Sequence, residues 1–156
     1  MTAKIGELAP AFELAGSNGE TIKLSDYRGK HVVLYFYPKD MTPGCTTQAC
    51  DFKDQYESFA DVNAVIIGVS PDSLTRHEKF ISKYELPFVL LADEDHRVAE
   101  AYDVWKLKKN FGKEYMGIER STFIINKEGE LVKEWRKVKV KGHVEEALQF
   151  IRDELS

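Results

Sequence analysis

Hydrophobic residues recur along the chain on two periods, one continuous or alternating and one helical. Val32, Val33, Leu34, Tyr35, Phe36 and Tyr37 form an unbroken apolar run, the signature of a strand covered on both faces. Pro38 ends it, because a proline cannot donate to a sheet ladder. Ala64 to Ser70 and Phe88 to Leu91 are two more such runs. Between the first two, Ala49, Phe52, Tyr56 and Phe59 fall three or four apart, which predicts one helical face from Pro43 to Phe59. Phe80, Ile81 and Tyr84 keep the same spacing in a helix opened by Ser70-Pro71, on which His77 reads as a surface residue. Asp95 begins a short helix through Ala99 and Tyr102.

The ends of the chain have a different rhythm. Phe12 to Leu14 and Thr21 to Leu24 flank the turn cluster Gly16-Ser17-Asn18-Gly19, an N-terminal hairpin. Ser25 to Gly29 reads as a single turn before the central strand. Ser121 to Ile125 and Leu131 to Trp135 flank Asn126-Lys127-Glu128-Gly129, a second hairpin. A helix from His143 to about Leu155 follows, with Val144, Ala147, Leu148 and Ile151 facing inward. A βαβ unit followed by ββα is the order of a thioredoxin-like α/β fold. It has a central mixed β-sheet flanked by helices, here with an N-terminal β-hairpin extension.

Composition narrows the class. The 156 residues are expected to form a single domain, 1–156, with a sizeable core. Hydrophobic content of 43% and charge of 31% fit a globular protein in water. A net charge of −4 argues against nucleic acid or an anionic membrane as partner. No run reaches transmembrane length. The opening MTAKIGELAP lacks the apolar core of a signal peptide. Two cysteines without a secretory signal suggest a reducing, cytoplasmic compartment, where such a pair serves catalysis or metal binding.

Those cysteines direct attention to YFYPKDMTPGCTTQAC, residues 35–50. Thr42-Pro43 reads as N-cap and first helical residue, so Cys45 falls in the first turn of a helix just past a strand end. Unpaired N–H groups and the positive end of the helix dipole both favour a thiolate there, and the thiolate is the nucleophile. The Thr42 hydroxyl can reach the sulfur or a substrate oxygen, and Gly44 lets a ligand approach the backbone. Cys50 follows on another side of the same helix. The opposite reading, a buried inert thiol, competes with this one.

Pro38, Thr42 and Cys45 match the Pro-x-x-x-Thr-x-x-Cys signature of the peroxiredoxins, and Cys50 five residues on resembles the bacterioferritin-comigratory-protein (PrxQ) branch. The resemblance extends through GELAPAF (6–12), GVSPDS (68–73), Pro87-Phe88 and GIERSTF (117–123). It implies a thiol peroxidase that reduces hydrogen peroxide and organic hydroperoxides without a cofactor or metal. Cys45 would be the peroxidatic residue and Cys50 the resolving one. Thr42 and Arg120 would stabilise charge on the peroxide oxygens, and Pro38 would shield the pocket. Arg120 suits that role because a guanidinium is always charged and can hold two oxygens at once. The resemblance also implies a monomer recycled by thioredoxin or a similar dithiol.

In an intact helix, Cα atoms five residues apart stand roughly 8.5 Å from one another and about 140° apart around the axis, whereas a disulfide needs less than about 7 Å. The first turns are therefore expected to unwind in each cycle. A metal site is disfavoured because the histidines at 31, 77, 96 and 143 are scattered, and a general disulfide oxidoreductase because no Cys-x-x-Cys is present. A redox sensor or chaperone using the same cysteine pair remains the alternative. Trp105 and Phe111 are candidates either for the approach to the sulfur or for the core. Lys106 to Lys113 reads as a solvated loop that could attract an acidic partner.

Overall fold

The computed structural model describes residues 3–155. The chain enters through the antiparallel hairpin β1 (Glu13–Gly16) and β2 (Thr21–Lys23), with Leu14 opposite Ile22. A 3₁₀ turn, Leu24–Tyr27, leads to β3 (His31–Phe36). Then come α1 (Pro43–Asp54), α2 (Tyr56–Asp61), β4 (Ala64–Ser70), α3 (Leu74–Tyr84), β5 (Val89–Ala92) and α4 (Arg97–Ala101). A separate ribbon, β6 (Trp105–Asn110) and β7 (Lys113–Ile118), precedes β8 (Ser121–Ile125), β9 (Leu131–Trp135) and α5 (His143–Glu154).

Seven strands form one mixed sheet in the order β2-β1-β5-β4-β3-β8-β9. The β3–β4 and β4–β5 pairs are parallel, and the hairpins extend the sheet antiparallel at both ends. This is the thioredoxin-like arrangement that the element order predicts. Every residue of β3 is buried, because apolar layers cover both faces. Val32, Leu34 and Phe36 point into one layer with Phe12, Tyr102 and Phe123. Val33, Tyr35 and Tyr37 point into the other with Cys45, Ala49, Phe52, Phe59, Phe80 and the inner face of α5.

The second layer seats α1. The Tyr35 ring stacks on Phe52 at 4.7 Å between centroids, and Phe52 in turn meets Phe59 and Phe88. Room for Tyr35 comes from Gly68 on the neighbouring strand, where a Cβ would stand 2.9 Å from the ring. Truncating a buried phenylalanine of this kind costs roughly 3–5 kcal/mol, so the ring cluster fixes where the helix and its cysteines lie.

Several sequence expectations need correction. The helix predicted from Pro43 to Phe59 breaks at Gln55, whose N–H reaches both the Asp51 and Phe52 carbonyls. The break re-aims the chain, so Phe59 is buried while Tyr56 is 38% exposed. The third helix starts at Leu74, capped by the Ser73 hydroxyl, which accepts from the Arg76 N–H; Ser70 and Asp72 are held in the preceding turn by their own hydrogen bonds. His77 is fully buried, not a surface residue. Lys106 to Lys113 belongs to a ribbon, not a loop. Phe111 (φ 52°) and Gly112 (φ 77°) make its two-residue turn, and both residues are left-handed, as hairpin twist requires.

Candidate active site

The sheet register brings the pieces together. Ser121 pairs with Phe36 at the end of the β3–β8 ladder, so Arg120 and Tyr37 leave the sheet as neighbours. The chain after Tyr37 turns through Pro38 and reaches Met41, a non-glycine residue at φ 63°. Such a conformation persists where its surroundings over-determine it. Thr42 follows in extended conformation as N-cap of α1, with Pro43 at the first helical position. Cys45 then lies in the first turn, 2% exposed and walled into the apolar layer.

Arg120 stands over the sulfur. Its Nη2 donates to Cys45 Sγ at 3.2 Å and its Nη1 to Gln48 Oε1 at 2.6 Å. Gly44 makes the approach possible: a Cβ there would stand 3.2 Å from Arg120 Nη2. The group that needs the space left by Gly44 is thus the guanidinium. A hydrogen bond to a charged group contributes roughly 1.5–3 kcal/mol, against about 0.3–1 kcal/mol for a helix dipole. By these magnitudes a guanidinium contact of this kind outweighs a helix end as a partner for a charged sulfur.

The Thr42 hydroxyl donates to the Lys39 carbonyl at 2.9 Å and does not cap its own helix. The donors of the first turn are therefore not taken by Thr42, and its hydroxyl keeps acceptor capacity. Pro38 is half-buried beside this turn. Cys50 is half-buried on the same continuous helix as Cys45, and both are free thiols. Burial pushes the Cys50 thiol above its ordinary value.

Sequence reasoning missed four residues around the sulfur. Gln48 is fully buried, and its Oε1 orients Arg120 while its Nε2 has no partner among the described residues. The signal was present, since Cys45, Gln48, Ala49 and Phe52 fall at i, i+3, i+4 and i+7, the buried stripe. The Tyr35 hydroxyl is likewise buried without a partner among the described residues. Burial, then the neighbouring Cys45 and Asp40 charges, push it well above the tyrosine range. Asp40 and His77 form a buried pair on the other side of the turn, Nδ1 to Oδ2 at 2.6 Å. His77 shares helical spacing with Phe80, Ile81 and Tyr84, which could have revealed it.

A cleft of about 490 Å³ opens against Arg120, between the β6–β7 ribbon and Lys137-Val138. Lys108 lines it; burial first, then Arg120, holds its ammonium below the usual lysine range. A wider cleft of about 680 Å³ between Trp135 and Gln149 reaches neither Cys45 nor Arg120. Trp105 stacks on His96 at 4.0 Å, and Phe111 is 96% exposed at the ribbon tip. Trp105 is partly buried against the edge of the first core layer, whereas Phe111 lies outside the core. Among the described residues, no group of three His, Cys, Asp or Glu side chains could hold a metal ion, and no helix is long and apolar enough to cross a membrane.

The AhpC/TSA family model matches residues 5–134. Peroxiredoxin Bcp of Bacillus subtilis is 71% identical over 153 residues, 98% of each chain. The structure of a cysteine-to-serine mutant of Xylella fastidiosa PrxQ superposes with a TM-score of 0.94 at 38% identity, covering 100% of this chain and 99% of that one. Xanthomonas campestris bacterioferritin comigratory protein, whose trapped intermediate and ligand complexes concern its alkyl peroxide reduction activity, gives 0.89 at 41% identity over 93% and 92%. The likeness runs the length of the chain: it belongs to the AhpC/TSA family, in the Bcp/PrxQ branch of the peroxiredoxins, and is an oxidoreductase acting on peroxides.

Proposed function

We propose that Cys45 is the peroxidatic residue, Cys50 resolves it, and an external dithiol such as thioredoxin recycles the pair. The observation that carries the reading is the Arg120 Nη2 to Cys45 Sγ contact of 3.2 Å at the first turn of α1. The Cys45 thiolate attacks one oxygen of R–O–O–H in line with the O–O bond. An S–O bond forms, the O–O bond breaks, and RO⁻ leaves and takes up a proton, giving water or alcohol. Arg120, the Thr42 hydroxyl and first-turn N–H groups stabilise charge on the two oxygens. Pro38 shields the pocket from bulk water.

Cys45 is then a sulfenic acid. The Cys50 sulfur attacks the Cys45 sulfur; the S–S bond forms as the S–OH bond breaks, and the hydroxyl leaves as water with the proton of the Cys50 thiol. Both cysteines lie on one unbroken helix in the reduced chain, and a disulfide spans less than about 7 Å between Cα atoms. The first turns of α1 therefore unwind at this step. A verified Cys45–Cys50 disulfide on an intact α1 would refute that. An external dithiol then reduces the bond by exchange. The whole chain acts as one catalytic domain, working as a monomer in the cytoplasm.

The test is hydroperoxide consumption with thioredoxin and its reductase, alongside intact mass after peroxide alone. Cys45→Ser should be inactive. Cys50→Ser should accumulate sulfenic or sulfinic acid, and wild type should lose two hydrogens without forming a covalent dimer. Normal turnover by Cys50→Ser with thioredoxin would remove Cys50 from the cycle. Wild-type activity in Cys45→Ser would overturn the assignment. A sensor using the same pair would stop after one equivalent of peroxide.

A further inference from the structure

On the side of the catalytic turn away from Arg120, Asp40 is held at every polar group it has. Its carboxylate accepts from the Tyr37 hydroxyl at 2.5 Å and lies 2.6 Å from His77 Nδ1. Its N–H donates to Asp72 Oδ2 at 2.6 Å, and its carbonyl accepts from Arg76 Nη2 at 3.2 Å. Asp72 and Arg76 are themselves paired at 3.3 Å. His77 is anchored at its far end, where Nε2 donates to the Leu91 carbonyl at 2.8 Å. A carbonyl only accepts, so Nε2 carries a proton. One further proton lies between Nδ1 and the carboxylate. Whichever of the two holds it, the pair has no net charge. Asp40 and His77 are 1% and 0% exposed; every side-chain polar atom of these two has a partner, and a buried pair satisfied in this way is rigid.

The clamp is built from Tyr37 just past β3, Asp72 in the turn before α3, Arg76 and His77 on α3, and Leu91 on β5, yet it grips a residue two positions before Thr42. Between them is Met41 at φ 63°, a conformation that needs external support. Resting on the peroxidase reading above, we infer that Asp40 and His77 are positioning residues for peroxide reduction. Their hydrogen bonds hold the Met41 turn, and through it the Thr42 hydroxyl and the first turn of α1, in register with Arg120. They also fix the N-terminal limit of the segment that unwinds: the chain through Asp40 stays in place while residues beyond Met41 move. Asp40→Asn can keep this geometry. Its Oδ1 accepts from Tyr37, and its Nδ2 donates to a neutral His77 whose Nε2 still bonds Leu91. Asp40→Ala cannot.

The experiment compares two rates at Cys45 in the reduced protein: oxidation by hydrogen peroxide over a single turnover, and alkylation by iodoacetamide, read by mass on the Cys45 peptide. Alkylation needs a thiolate but not an aligned peroxide pocket. Asp40→Ala is expected to lose roughly 100-fold in peroxide oxidation, the effect of displacing reacting groups by about 1 Å, with a much smaller change in alkylation. Asp40→Asn should recover most of the loss. Asp72→Ala, at a half-buried position, should fall between, and it carries the test if Asp40→Ala does not fold. Peroxide oxidation at the wild-type rate in folded Asp40→Ala or in Asp72→Ala would overturn the inference. So would equal loss of both rates, or an Asp40→Asn protein as slow as Asp40→Ala. Were wild-type Cys45 itself not oxidised, the peroxidase reading would fall instead.

Discussion

The two flanks of the catalytic turn are built differently. On the α3 side, Tyr37, Asp40 and His77 are buried, and their contacts are mutual and short. On the other side one arginine, half-buried, reaches over the sulfur from the start of β8. Behind it the β6–β7 ribbon carries Leu107, Phe111, Tyr115 and Met116 exposed among lysines. A buried, satisfied polar network holds one arrangement, whereas an exposed ribbon with few contacts opens at little cost. In the proposed cycle the difference divides the labour: one flank fixes where the sulfur stands, and the other supplies charge and remains open to whatever arrives. Helix α1 lies between them, and that cycle requires it to be both held and released.

The comparison breaks most sharply at Arg120. Arg120→Ala should lower kcat/KM for hydroperoxide roughly 100- to 1,000-fold, as losing a donor aimed at developing charge does elsewhere. Arg120→Lys should recover only part, because a lysine cannot bond Cys45 and Gln48 with one planar fork. A loss no greater than that of Asp72→Ala would mean the rigid flank matters more than the charged one.

The releasable helix is sharpened by pH. Burial raises the Cys50 thiol above its ordinary value, so at neutral pH it is protonated and a poor nucleophile. If it attacks from the folded helix, disulfide formation should quicken about tenfold per pH unit up to that raised value. If unwinding precedes attack, the midpoint should fall back to that of an exposed thiol. Stopped-flow separation of the oxidation and resolution phases reads this directly.

The smallest effect belongs to the open flank. Phe111→Ser at the ribbon tip should change stability by no more than about 0.5 kcal/mol and leave peroxide oxidation unaltered, as thermal melting and single-turnover rates would show. A larger loss of stability would make the ribbon a structural element and erase the contrast.

Much of this was legible because it rests on local rules. The strand run from Val32, the Pro38 stop, the Thr42-Pro43 helix start and the inner face of α5 follow from nearest-neighbour chemistry, and the structure keeps all of them. The resemblance supplied Arg120, which spacing could not, since nothing local distinguishes it from other basic residues. The ribbon went unread because four lysines hide the alternation of Trp105 and Leu107, and because Phe111 is an unusual residue for a left-handed turn.

By itself, then, the chain's pattern determined most of its elements, though not the β6–β7 ribbon or the break at Gln55, together with the helix-start position of Cys45 and the kind of chemistry that position favours. Only tertiary structure decided which polar side chains meet. Gln48 and His77 lie on buried stripes that periodicity alone assigns to apolar residues. Their partners, Arg120 and Asp40, lie 72 and 37 residues away in sequence. A buried polar group is stable only once its partner is present, and the partner is brought there by the sheet register and helix packing of the folded chain.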